Sequence, residues 1–266
     1  MLSQPNLLKD DLELVSAAAK EAGLIAMKFF GSPNEVWQKH GNSPVSEADF
    51  AVDAFLKDAL LAARPGYGWL SEETEDNDER LSKERLFVVD PIDGTRGFLA
   101  GNKQWCISIG IVENTRPIAG ALECPALNEH FTASKGFGAY LNGSKMDQLV
   151  SHAIGTITGS RKLNEVMSDD NQLTAKVLPF VPSLAYRLAM VAKGSLDGAV
   201  ARPGAHDWDL AAAHILLDEA GGKMTDILGT ERRYNQPNPK SGSLLASSIP
   251  AHPALMKLAK SAGFLH

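Results

Sequence analysis

The sequence predicts a mixed α/β protein, with an α+β first half and an α/β second half, and three observations carry that reading. Two stretches near the start place apolar residues at helical spacing. Short apolar runs separated by turn residues follow, and after about Gly143 strand-like and helical segments alternate.

In order along the chain, Leu12, Val15, Ala18, Ala19, Ala22, Ile25, Ala26 and Phe29 predict a first helix, and Phe50, Val52, Ala54, Phe55, Ala59 and Leu60 a second. Trp69-Leu70 ends a strand. Further strands are expected at Phe87–Asp90, Cys106–Val112, Ile118–Leu122 and Phe131–Ala133, with turns at Asn114, Gly136 and Asn142-Gly143, so the first half reads as antiparallel. Next come a strand at Thr156–Gly159, a helix at Leu184–Lys193, a strand at Gly198–Ala201 and an apolar helix from Asp207 to near Gly221-Gly222.

A chain of 266 residues can bury a substantial core, as one large domain or two lobes. Its net charge of −6 argues against a partner bound through nucleic-acid phosphates. No apolar run approaches the ~20 residues that span a bilayer, and the first residues lack a basic region followed by an apolar one, so a cytoplasmic location is expected. Cys106 and Cys124 lie in apolar runs and read as buried, reduced thiols, without zinc-ligand spacing. No GxxxxGK[ST] occurs, and Gly155–Arg161 is only superficially glycine-rich.

Chemistry concentrates where the Phe87-Val88-Val89 strand meets Asp90-Pro91-Ile92-Asp93-Gly94-Thr95. Proline is expected to end the strand. Asp90 and Asp93 then share one turn, and the N–H groups of Gly94 and Thr95 can face an anion if a helix starts there. Carboxylates beside an anion cradle suit a metal-bound phosphate, although a turn followed by a helix cap uses the same residues. Glu72, in Ser71-Glu72-Glu73, offers another carboxylate or belongs to an acidic loop. Asp209 falls in the first turn of its helix, where it equally suits the helix dipole. Asp49, in Ser46-Glu47-Ala48-Asp49, also reads as part of a helix N-terminal box.

Together these segments resemble the inositol monophosphatase family of metal-dependent phosphatases. Asp90–Thr95 with Phe98 is similar to one family signature, and Trp208-Asp209-Leu210-Ala211-Ala212 with Glu219-Ala220-Gly221-Gly222 to a second. Ser43-Pro44-Val45-Ser46-Glu47-Ala48-Asp49 and Ser71-Glu72-Glu73 match two further elements in family order, over roughly the whole chain. The resemblance implies a layered αβαβα sandwich, with an N-terminal lobe over residues 1–145, a C-terminal lobe over 146–266 and the active site between them. It implies Mg2+, two or three ions per site, which suits oxygen donors without Cys or His. Glu72, Asp90 and the Ile92 carbonyl would hold one ion, and Asp90, Asp93 and Asp209 another. Thr95, paired with Asp49, would orient and deprotonate the attacking water. Lithium inhibition and homodimers are common in the family, though no residue here fixes an interface.

The expected partner is a small phosphorylated metabolite, not a nucleic-acid polymer or a membrane. Gly94, Thr95, Ser183, Arg202 and His206 are the expected substrate contacts. Arg202 stands where inositol-specific members carry an acidic residue, which favours a substrate with a second anion, unless Arg202 is simply a solvated loop residue. Pro182-Ser183 departs from the Gly-Ser or Gly-Thr pair of many members. The order of expected substrates is 3′-phosphoadenosine 5′-phosphate, inositol 1-phosphate, then histidinol phosphate. A non-catalytic phosphate-ligand sensor is the reading from another class.

Overall fold

The structure, a computed structural model, describes residues 4–38, 44–159 and 175–261. Ser43 of the Ser43–Asp49 element, and Ser160 and Arg161 of the glycine-rich stretch, lie outside the described residues.

Helix α1 (Gln4–Met27) leads through a hairpin, β1 (Val36–Gln38) and β2 (Pro44–Ser46), into α2 (Glu47–Ala63). Strands β3 (Gly68–Ser71) and β4 (Arg85–Asp93) follow, then the short helix α3 (Thr95–Leu99). After it come β5 (Cys106–Glu113), β6 (Arg116–Cys124), β7 (Glu129–Ser134), β8 (Gly138–Leu141) and β9 (Ser144–Lys145). Strands β3 to β9 form a seven-stranded sheet in chain order. The rest comprises β10 (Thr156–Thr158), β11 (Lys176–Val177), α4 (Leu184–Ala192), β12 (Gly198–Ala201), α5 (Asp207–Glu219), β13 (Gly222–Asp226), β14 (Leu244–Ser248) and α6 (His252–Ser261). Its strands make a five-stranded sheet, ordered β11-β10-β12-β14-β13.

Alternation along β4 sets the layers. Phe87 and Val89 face the core under α1 and α2, whereas Leu86 and Val88 face the core shared with α4 and α5. Helices α4 and α5 lie between the two sheets, and α6 covers the far face of the second sheet through Leu255 and Ala259 against Ile157, Val200 and Leu245. The layers therefore run αβαβα, as the resemblance implied. Cys106 and Cys124 are buried free thiols, and among the described residues no helix is long and apolar enough to cross a membrane.

Two sequence expectations need correction. The first half is antiparallel from β4 to β9, but β3 pairs with β4 in parallel, with Ser71 opposite Val89. The chain between them, which includes a 3-10 turn at Asp78–Ser82, carries it back so that both strands run the same way. Glu72, just after β3, and Asp90, near the end of β4, are thereby brought to the same end of the sheet. Pro91 also fails to end β4. The register shifts between Asp90 and Asp93, and pairing resumes at Asp93 opposite Cys106, so the proline sits in an irregularity where no ladder N–H is required.

Helix α5 lies directly on the first sheet because two facing positions lack side chains. A Cβ at Gly110 would stand 2.8 Å from Ala211 Cβ, and one at Gly120 2.8 Å from Ala212 Cα. The close approach carries the N-terminal turn of α5, with Asp209, to the end of β4. Gly120→Ala is expected to cost about 1–3 kcal/mol in urea unfolding through overpacking, and an unchanged midpoint would contradict this account of the contact.

Candidate active site

The ends of β3, β4 and α5 converge on a cavity of about 770 Å³, with Glu72, Asp90, Asp93, Gly94, Thr95 and Asp209 in its wall. Oxygen atoms of Glu72, Asp90 and Asp209 lie within 4.8 Å of one another. Burial, and after it the charges of Glu72, Asp93 and Asp209, holds the Asp90 carboxyl well above the ordinary carboxylate range. Asp209 is raised likewise, by burial and then by Asp93. Asp93 is pushed up to about 6 by burial, against hydrogen bonds that favour its charged form. Crowded carboxylates with hard oxygen donors, Asp90 buried and Glu72 and Asp209 half-buried, fit a divalent cation such as Mg2+, which would relieve the repulsion among them.

Each acid is held by its local structure. Asp90 Oδ1 accepts the Ile92 N–H at 3.0 Å, within the irregularity that Pro91 allows. Asp93 Oδ2 accepts the Ser183 hydroxyl at 2.5 Å and the Ala185 N–H at 2.6 Å. The start of α4 thus binds a carboxylate, as helix N-termini favour. Asp209 Oδ2 accepts the His206 N–H at 2.6 Å in the first turn of α5. The capping and site positions of Asp209 therefore coincide.

Asp49 also occupies both of its expected positions. Its Oδ2 accepts the Ser46 N–H at 2.8 Å and the Ser46 hydroxyl at 2.5 Å, while Oδ1 lies 3.1 Å from Thr95 Oγ1. Burial raises its pKa, opposed by the bonds from Ser46 and Thr95. Thr95 Oγ1 is also 3.0 Å from the Ile92 carbonyl, so its single hydrogen is donated to one oxygen or the other.

The expected substrate contacts divide. Gly94 and Thr95 stand in the cavity wall at the start of α3, and Gly94 takes a left-handed φ of 95°. A Cβ on Gly94 would come 3.1 Å from Ser183 N, so its bareness also lets the 182–183 segment close on α3. Ser183 is fully buried, donates to Asp93 and caps α4 by accepting the Tyr186 N–H at 2.9 Å. His206 stacks on Trp208 with ring centroids 4.4 Å apart, outside the cavity wall. Arg202 is exposed and also lies outside that wall.

The wall contains groups that sequence reasoning did not assign to the site: Arg96, Asn102, Phe180 and Pro182. Arg96 follows Thr95 directly, so its place could have been read from the motif. Phe180 carries no motif, and only folding brings it into the wall, whereas Pro182 belongs to the Pro182-Ser183 pair singled out in the sequence.

The "Inositol monophosphatase family" model matches residues 8–262. Inositol monophosphatase 1 of Solanum lycopersicum is 33% identical over 84% of this chain and 87% of its own length. The 3′(2′),5′-bisphosphate nucleotidase CysQ of Aggregatibacter actinomycetemcomitans is 29% identical over 87% of this chain and 88% of its own. Among solved structures, a Thermotoga maritima IMPase superposes with a TM-score of 0.84 at 27% identity, covering 95% of this chain and 98% of that one. Sequence, fold and carboxylate cluster agree, and the chain belongs to the inositol monophosphatase family, whose members are metal-dependent phosphoric monoester hydrolases.

Proposed function

We propose that this protein is a Mg2+-dependent phosphomonoesterase acting on a small metabolite with a second anionic group, 3′-phosphoadenosine 5′-phosphate foremost. The observation that carries the reading is the convergence of Glu72, Asp90, Asp93 and Asp209 on the cavity that Thr95 also lines, with Asp49 behind it. Glu72, Asp90, Asp209 and the Ile92 carbonyl, with Asp93, are the groups that would hold the metal. When bound, a divalent cation supplies Lewis acidity, neutralising phosphoryl oxygens and making water acidic enough to act as the nucleophile.

The chain's own groups supply positioning and proton transfer. With its hydrogen donated to Asp49 Oδ1, the Thr95 hydroxyl keeps lone pairs for a water in the cavity. A proton leaving that water moves to Thr95 Oγ1 as the Thr95 proton passes to Asp49. The proton affinity that burial gives Asp49 suits it to receive that charge. Gly94 and Thr95, at the head of α3, stand where phosphate oxygens would be cradled.

The second anion is supported by Arg96, a guanidinium in the cavity wall suited to paired hydrogen bonds with phosphate. Arg202, exposed outside the wall, is the weaker support. The likeness to a plant inositol monophosphatase favours inositol 1-phosphate as the second reading.

Phosphate release from 3′-phosphoadenosine 5′-phosphate, inositol 1-phosphate and histidinol phosphate is expected to be fastest with the bisphosphate. Chelator or Asp93→Asn is expected to lower it at least ~100-fold. Faster release from inositol 1-phosphate would keep the chemistry and remove the second-anion claim. A folded, Mg2+-binding protein that turns over none of the three would favour the sensor reading.

Arg96→Ala should lower the ratio of bisphosphate to inositol-phosphate turnover by about tenfold, the loss of one charge-assisted contact. A ratio changed only by Arg202→Glu would move the anion contact to Arg202.

Mg2+ should raise the melting temperature of the wild-type protein but not of Asp90→Asn. The rise should shrink from pH 7.5 to pH 5, because protons compete with the cation for carboxylates whose proton affinity is raised. A rise independent of pH would place Mg2+ binding elsewhere.

A further inference from the structure

Helix α2 carries a second buried acid one turn after Asp49. Residues at i and i+4 leave the same helix face, so Asp49 and Asp53 point toward one side of the molecule. Asp49 reaches Thr95, whereas Asp53, 8% exposed, reaches the loop that follows β3.

That loop carries Glu72, and Asp53 grips it on both sides. Asp53 Oδ1 accepts the Ser71 hydroxyl, and Oδ2 accepts the Thr74 hydroxyl at 2.8 Å. The loop closes around these bonds: Ser71 Oγ accepts the Glu73 N–H at 3.3 Å, and Thr74 Oγ1 accepts the Trp69 indole N–H at 3.2 Å. The Glu72 N–H donates to the Val89 carbonyl at 3.2 Å, which continues the parallel pairing of β3 with β4. The backbone of Glu72 is thus fixed to β4 on one side and, through its neighbours, to α2 on the other. Asp53 itself is not in the cavity wall.

We propose that Asp53 is a positioning residue for the metal site: it holds the Ser71–Thr74 loop so that the Glu72 carboxylate meets Asp90 and Asp209. This rests on the reading of Glu72 as a metal ligand. Helix α2 then serves both halves of the chemistry, carrying the proton acceptor at Asp49 and the support for a ligand at Asp53. The physical reason is repulsion. Glu72 sits on a loop beside like charges, and a backbone held on both sides favours the position in which its carboxylate faces them.

The test is Mn2+ binding to the full chain, read by the loss of the free-ion electron paramagnetic resonance signal, beside the melting temperature of the metal-free protein. Groups that support metal ligands typically affect affinity 10–100-fold. Asp53→Ala should raise the Mn2+ dissociation constant by about that factor. Thr74→Val, which removes one of the two bonds, should raise it less, and Thr74→Val added to Asp53→Ala should change little more.

A merely structural Asp53 would lower the melting temperature and leave Mn2+ affinity within twofold, which would overturn the proposal. If Asp53→Ala does not fold, Ser71→Ala and Thr74→Val carry the same test, and unchanged affinity in both overturns it. Wild-type protein that binds no Mn2+ would overturn the metal reading itself, a failure distinct from that of Asp53.

Discussion

Mutual repulsion among crowded carboxylates, Asp90 buried and Glu72 and Asp209 half-buried, shapes much of what surrounds them. Oxygen atoms of Glu72, Asp90 and Asp209 approach within 4.8 Å in a setting that raises the proton affinity of Asp90 and Asp209 well above normal. Such a cluster destabilises the folded state unless a cation or protons occupy it, so the fold must hold it together from outside. The supports are separate elements: the β3–β4 pairing beneath Glu72, the Ile92 N–H on Asp90, the start of α4 on Asp93 and the first turn of α5 around Asp209.

The layered architecture makes those supports meet. Parallel pairing of β3 with β4 brings Glu72 beside Asp90 although the residues between them are a charged loop. Gly110 and Gly120 let α5 lie flat on the sheet, and Gly94 and Gly97 let Pro182 and Ser183 close on α3. Small residues thus govern the reach of the acids: in each place a side chain would hold apart two elements that the site needs in contact. The same closeness leaves Ser183 buried, with its hydroxyl donating to Asp93.

Much of this was legible in the sequence, for identifiable reasons. Strands β5 and β6 and helices α4 and α5 fall close to their expected bounds because long apolar runs or helical periodicity mark them. The acids of the cluster were legible because they sit in compact motifs. Strands β13 and β14 left no comparable mark, being short and mixed in composition. The parallel partner of β4 was hidden because pairing direction depends on how the intervening chain returns. The bonds from Ser183 and Ala185 to Asp93 span about ninety residues of sequence and have no local signature. Proline was misread at Pro91, since it interrupts a ladder only where an N–H is needed, and the irregularity between Asp90 and Asp93 removes that need.

A divalent-metal site at this carboxylate cluster would show itself in anomalous diffraction from crystals grown with Mn2+. An anomalous peak is expected among Glu72, Asp90 and Asp209, with Asp90 shared with any second peak beside Asp93. Crystals in which those carboxylates bind no ion at saturating Mn2+, or in which the ions sit on other residues, would contradict it.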